Sequence, residues 1–197
     1  MKKLMILAML LATPAAFGQA AKKLSAGVYA HFETSMGNFT CELFDKQAPN
    51  TVGSFTGLAE GTKEWKDPKT GQPVKGKPFY DGLTFHRIID GFMIQGGDPQ
   101  GNGTGNPGFF IRDEVNSQKH DREGRLAMAK TSAPNSQGSQ FYITLAAQPF
   151  LDKDYTVFGQ VVDGMQVVKA IGNVKTGAQD RPLTPVVIKK VTIERVK

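Results

Sequence analysis

Phe85-His86-Arg87-Ile88-Ile89-Asp90-Gly91-Phe92-Met93-Ile94-Gln95-Gly96-Gly97-Asp98 is the stretch on which the fold turns. Its apolar runs, Leu83–Ile89 and Phe92–Gln95, read as two short strands broken at the Asp90-Gly91 turn pair. Outward from it the same signal recurs. Val28–Glu33 and Asn38–Phe44 form a hairpin across Thr34-Ser35-Met36-Gly37. Further strands are predicted at Leu126–Ala129, Gln140–Leu145, Val157–Val162 and Val186–Arg195. Phe39, Cys41 and Leu43 share one strand face, which makes Cys41, the only cysteine, a buried structural residue that cannot form an intramolecular disulfide.

Two helices complete the reading. Pro49–Ala59 carries an apolar face of Val52, Phe55, Leu58 and Ala59 and ends at Gly61. Met165–Ile171 carries Met165, Val168 and Ile171, with Asp163 expected as its cap and Gly172 as its stop. Glu64–Pro78 reads as a Lys/Gly/Pro-rich loop in which Trp65 packs the loop down. The 22 glycines fit a turn-rich β fold. Many short strands and two helices suggest a mainly β class, a closed antiparallel barrel with helices over its ends.

Residues 1–20 differ from the rest. Lys2 and Lys3 precede the apolar run Leu4–Ala12, which is too short to span a bilayer, and Gly18-Gln19-Ala20 offers small residues for cleavage. The expected organisation is a signal peptide over 1–20 and one domain over 21–197, exported, with the periplasm as destination and no stable membrane anchor. The net charge of +6 falls to +4 once residues 1–20, with their two lysines, are removed. That mild excess, without a basic tract, points away from nucleic acid.

Other motifs carry little. Gly103-Thr104-Gly105-Asn106-Pro107-Gly108 fits G-x-G-x-x-G, but a dinucleotide site requires a strand before it and a helix after it, and here Pro107 and Phe109-Phe110 follow with no helical pattern. His31, His86 and His120 lack metal-ligand spacing, and no G-x-S-x-G elbow is present.

Three segments carry a resemblance: the opening stretch, Ser139-Gln140-Phe141-Tyr142-Ile143, and Pro149-Phe150-Leu151-Asp152 followed by Val157-Phe158-Gly159. Together they resemble the cyclophilin family of peptidyl-prolyl cis/trans isomerases, from about Val28 to Ile193. The resemblance implies a mainly β fold, a closed eight-stranded antiparallel barrel capped by two α-helices, and catalysis of rotation about X–Pro bonds in peptides and in unfolded or folding proteins. That rotation faces a barrier of about 18–20 kcal/mol uncatalysed. No cofactor or metal is implied, and a monomer is the expected state.

The resemblance also assigns residues. Arg87, Gln95 and His86 match the catalytic positions: Arg87 would stabilise the twisted amide, and His86 would orient the site. Phe92, Met93, Tyr142 and Leu151 match the proline pocket, with Phe150 as its wall. Gln140 holds the peptide backbone along with Gln95. Ala129 and Lys130 match the strand that pairs with substrate, Gly103 borders a neighbouring pocket, and Tyr155 completes the substrate-binding set. Read alone, the four pocket residues would be core and Arg87 a surface ion pair; only their place in the motifs says otherwise.

The chain departs from the family pattern at several points. Tyr142 stands where phenylalanine is usual, Phe150 where many members have tryptophan, Tyr155 where many have histidine, Lys130 where asparagine is common, and Asp90 where proline is common. The loop Thr131–Gln137 differs in length by about one residue, so no role is assigned within it. These departures imply weak cyclosporin binding rather than lost activity. A non-enzymatic binder of proline-containing segments and an unrelated barrel carrier are the competing classes, and a turnover assay separates them.

Overall fold

The computed structural model describes residues 24–197; the expected signal peptide lies outside them. The large sheet contains eight strands, all antiparallel. In chain order, β1 (Gly27–Thr34) and β2 (Gly37–Leu43) form the first hairpin, then α1 (Pro49–Glu60) follows. A separate two-stranded ribbon pairs β3 (Trp65–Lys66) with β4 (Pro73–Val74). Then come β5 (Arg87–Ile89), β6 (Met93–Gly96), β7 (Arg125–Met128), β8 (Phe141–Thr144), β9 (Val157–Asp163), α2 (Met165–Gly172) and β10 (Ile188–Val196). Across the large sheet the strand order is β10-β1-β2-β9-β7-β8-β6-β5.

The expected closed barrel is corrected to a curled sheet joined at one seam. The predicted strand Leu83–Ile89 divides. Its second half pairs with β6, while its first half crosses to the opposite edge. There Ile188 N–H donates to Leu83 O (2.8 Å) and Phe85 N–H to Val186 O (3.0 Å). Among the described residues only the single bridge Thr84–Val187 joins the two edges there, and the segment before it carries Pro182 and Pro185.

Alternation fills the interior. Ala30, Phe32, Phe39, Cys41 and Leu43 point inward with Phe141 and Phe158, and burial pushes the Cys41 thiol far up from its ordinary pKa. Phe55 of α1 enters this cluster, 4.9 Å from Tyr80 and 5.3 Å from Phe158 between ring centroids. Pro49 occupies the first turn of α1, and the Glu114 carboxylate accepts the N–H groups of Asn50 and Thr51 (3.1 and 2.7 Å), a cap supplied from 63–64 residues away. Gly61 ends α1 at φ 73, where a Cβ would strike the Lys77 backbone.

α2 packs on β2, β5 and β6 through Val168 and Ile171. Its N-cap is Gly164 at φ 77, correcting the expected Asp163, which instead ends β9. A side chain at Gly164 would meet Phe39 and the Asn38 carbonyl, so the close approach of backbone decides the cap. Trp65 does pack its loop: it is buried edge-to-face on Phe79 and donates Nε1–H to Lys77 O at 3.0 Å. Among the described residues no helix is long and apolar enough to cross a membrane.

Candidate active site

Four adjacent strands, β5, β6, β8 and β7, carry apolar residues on both faces. Ile88, Ile94, Ile143 and Leu126 face the interior as one cross-strand row. One residue along, the register aligns Arg87 with Gln95, Gln95 with Tyr142, and Tyr142 with Ala127. With a side-chain period of two, this second row stands on the outer face. A second apolar cluster of Met93, Ala127, Tyr142, Leu151 and Val157 forms there, flanked by Phe92, Ile89, Ala129 and Tyr155. It floors a slot of about 200 Å³ lined by Arg87, Phe92, Met93, Gln95, Ala129, Lys130, Tyr142, Leu151 and Tyr155.

Arg87 stands at the slot's edge with its side chain 43% exposed, and its Nε–H donates to Asp180 Oδ2 at 3.2 Å. Among the described residues its Nη groups have no partner. Asp180 and Gln179 both adopt left-handed backbone, at φ 56 and 61. Arg181 ties this turn to the glycine-rich loop through Gly101 O at 2.9 Å. Such conformations in non-glycine residues persist only where surrounding contacts hold them.

The glutamines form a bracket. Gln95 Nε2–H donates to Gln140 Oε1 (2.9 Å), and Gln140 Nε2–H donates to Gly103 O (3.1 Å) and Gly105 O (2.8 Å). Gln140 is thereby committed to the loop, and Gln95 keeps its Oε1 for a ligand. The loop itself wraps the buried Asp98, which accepts N–H bonds from Gln100 (2.7 Å), Asn102 (3.0 Å) and Gly103 (2.5 Å). Burial raises the Asp98 carboxyl, but these donors, with His86 nearby, hold it below the usual carboxylate value.

Nine of the anticipated residues, Arg87, Gln95, Phe92, Met93, Tyr142, Leu151, Ala129, Lys130 and Tyr155, line the slot. Lys130 turns its ammonium to Asp113 at 2.8 Å, and Ala129 N–H is already given to Gln140 O at 2.9 Å. Gln140 and Gly103 lie one step away, on a neighbouring cavity of about 340 Å³. Phe150 sits at the lip, stacked on Phe92 at 5.9 Å and 68% exposed. His86 lies behind Arg87, facing a third cavity of about 330 Å³ shared with Asn102, Gln179, Asp180 and Arg181. Both its ring nitrogens are buried without a partner, and burial holds its pKa below the ordinary value. Sequence reasoning missed Asp180, Asp113 and the pair His120–Asp152 behind Tyr142; each is remote in sequence from the residue it serves.

A family model described as cyclophilin type peptidyl-prolyl cis-trans isomerase/CLD matches residues 29–193. A peptidyl-prolyl cis-trans isomerase A of Mycobacterium tuberculosis is 45% identical over 167 residues, covering 83% of this chain and 91% of that protein. A peptidyl-prolyl cis-trans isomerase B of Streptomyces anulatus is 41% identical over 170 residues, covering 85% and 97%. Among solved structures, a cyclophilin type isomerase of Cryptosporidium parvum superposes with a TM-score of 0.74 at 31% identity, covering 86% of this chain and 98% of that one. A crystal structure of the same protein in the presence of the dipeptide Ala-Pro gives 0.73 at 32%, covering 85% and 99%.

Proposed function

This chain belongs to the cyclophilin type peptidyl-prolyl cis-trans isomerase family, and from that premise we propose how its groove turns an X–Pro bond and where it does so. The proline ring enters the slot of Phe92, Met93, Tyr142 and Leu151, where apolar walls exclude water. Twisting the amide breaks its resonance, so the prolyl nitrogen becomes pyramidal and gains a lone pair. An Arg87 Nη–H meets that lone pair. A guanidinium stays charged at any working pH, and its bond forms only to the twisted state, which is the condition for raising turnover.

Gln95 Oε1 accepts a backbone N–H of the peptide and fixes the chain across the slot. No proton moves, so His86 needs no acid–base role; it packs behind Arg87. The observation that carries this reading is the row Arg87–Gln95–Tyr142–Ala127, which sets a cationic fork, an amide acceptor and an apolar slot side by side on one sheet face. The natural substrates we infer are folding proteins outside the cytoplasm, from the pattern of residues 1–20.

Two measurements test this. In a protease-coupled isomerisation assay on a proline tetrapeptide, Met93→Ala is expected to raise KM at least tenfold, because one slot wall is lost. An unchanged KM in the folded variant refutes the slot. N-terminal sequencing of the exported protein is expected to begin at Ala21; retention of Met1 overturns the export reading.

A further inference from the structure

Behind the slot lies a buried polar chain that the isomerisation itself does not use. His120 is fully buried, and its Nε2 lies 2.9 Å from the Tyr142 hydroxyl. Its Nδ1 lies 2.9 Å from Asp152 Oδ1, and the same oxygen accepts the His120 backbone N–H at 2.7 Å. His120 O in turn accepts the Gln148 N–H at 2.7 Å. Asp152 immediately follows the 3-10 turn Pro149–Leu151, which carries Phe150 and Leu151. One histidine therefore contacts both Tyr142 and the turn that supplies Leu151.

The direction of these bonds follows from the groups. Burial raises the Asp152 carboxyl, but the two His120 donors and nearby Lys119 hold it below its ordinary value, so it is an acceptor only. Nδ1 of His120 must then carry a hydrogen. Burial lowers the pKa of the ring against the pull of Asp152, with Arg125 and Lys119 adding to the lowering, and the ring stays neutral. A neutral ring protonated on Nδ1 has a bare Nε2, so the Tyr142 hydroxyl donates to it. The phenol proton is thus drawn away from the slot, and the ring presents carbon to the proline.

A phenylalanine at position 142 would need no such partner. A tyrosine brings a hydroxyl into an almost closed wall, since Tyr142 is only 5% exposed. Left unpaired there, it would be costly, or would turn toward the ligand. We propose that His120, fixed by Asp152, is a positioning residue for proline binding: it acts through the Tyr142 hydroxyl to keep the slot wall apolar and the ring in place. The proposal rests on the reading of this slot as the proline site.

The test is a pair of variants assayed for kcat and KM on a proline tetrapeptide. His120→Phe keeps the ring volume and removes the acceptor. It is expected to raise KM about tenfold, the size of one buried hydrogen bond left unmade, with kcat within about twofold. Adding Tyr142→Phe removes the orphaned hydroxyl, so the double variant is expected to return to within about twofold of Tyr142→Phe alone. A folded His120→Phe with unchanged KM overturns the proposal, as does a double variant that keeps the raised KM.

If His120→Phe does not fold, ¹⁵N spectra of the histidine-labelled wild type decide instead. His120 is expected with Nδ1 protonated and Nε2 bare, its Nε2 resonance moving in Tyr142→Phe. A protonated Nε2, or a resonance unmoved by Tyr142→Phe, overturns it. Met93→Ala separates the two levels: if it raises KM while His120→Phe does not, this inference fails alone; if neither does, the slot reading fails with it.

Discussion

Removing the guanidinium of Arg87 is the sharpest perturbation of the proposed chemistry. The side chain is 43% exposed and its one protein partner, Asp180, is 45% exposed, so the ion pair adds about 0–1 kcal/mol to stability at most. Arg87→Ala should therefore fold with a denaturant midpoint close to wild type. Its catalytic cost should be far larger. A charged donor aimed at the developing lone pair is comparable to one oxyanion-hole donor, about 3–4 kcal/mol, which is roughly two to three orders of magnitude in kcat/KM. Arg87→Lys keeps charge but loses the planar fork that lets Nε hold Asp180 while Nη faces the slot, so it should recover only part of the rate. Asp180→Asn leaves the donor in place with looser aim and should cost less than about tenfold. Protease-coupled kinetics on all three variants, with chemical denaturation alongside, give the comparison. A folded Arg87→Ala with unchanged kcat/KM would refute the mechanism. Asp180→Asn falling as far as Arg87→Ala would show that the carboxylate, not the guanidinium, carries the effect.

Two further outcomes follow from the lip and from the loop. Phe150 offers an apolar face but no donor, so cyclosporin should inhibit weakly; Phe150→Trp should tighten inhibition about tenfold while kcat/KM changes less than about threefold, and an inhibition titration that shows no tightening contradicts it. Asp98 has a depressed folded-state pKa, so its contribution to stability is complete above the ordinary carboxylate value and disappears as pH falls through the depressed one. The stability gap between wild type and Asp98→Asn should accordingly narrow below about pH 4, and a gap constant down to about pH 2 in urea titrations would remove Asp98 from the acid-sensitive set.

The strands were legible where one face is apolar. Phe39, Cys41 and Leu43 alternate with polar neighbours, and β2 lies within one residue of its expected end. The split of Leu83–Ile89 was not legible, because a crossing between sheet edges leaves the run of strand-forming residues unbroken. The cap of α2 was misjudged for a related reason: a contact between Gly164 and Phe39 is set by tertiary packing, whereas Asp163 carried the local signal. The slot residues came from resemblance; their chemistry as apolar side chains would equally suit a core.

β7 and β8 show why. Every residue of Arg125–Met128 and Phe141–Thr144 is buried, so no alternation marks an inside and an outside. Leu126 and Phe141 pack inward, while Ala127 and Tyr142 floor the slot. A strand buried on both faces normally has a second layer over it. Here Leu151 and Tyr155 provide that layer over only part of the outer face, and the uncovered part is the slot. The proposed binding site is thus the gap in an otherwise complete second core. Arg87 and Gln95 are the polar members of the row because they stand on β5 and β6, toward the edge where the sheet meets water. The residues that complete the site, Asp180 on Arg87 and His120 on Tyr142, lie 93 and 22 residues away and obey no strand period. They are set by what a guanidinium and a buried hydroxyl each require, and that requirement becomes readable only once the fold brings them within hydrogen-bonding distance.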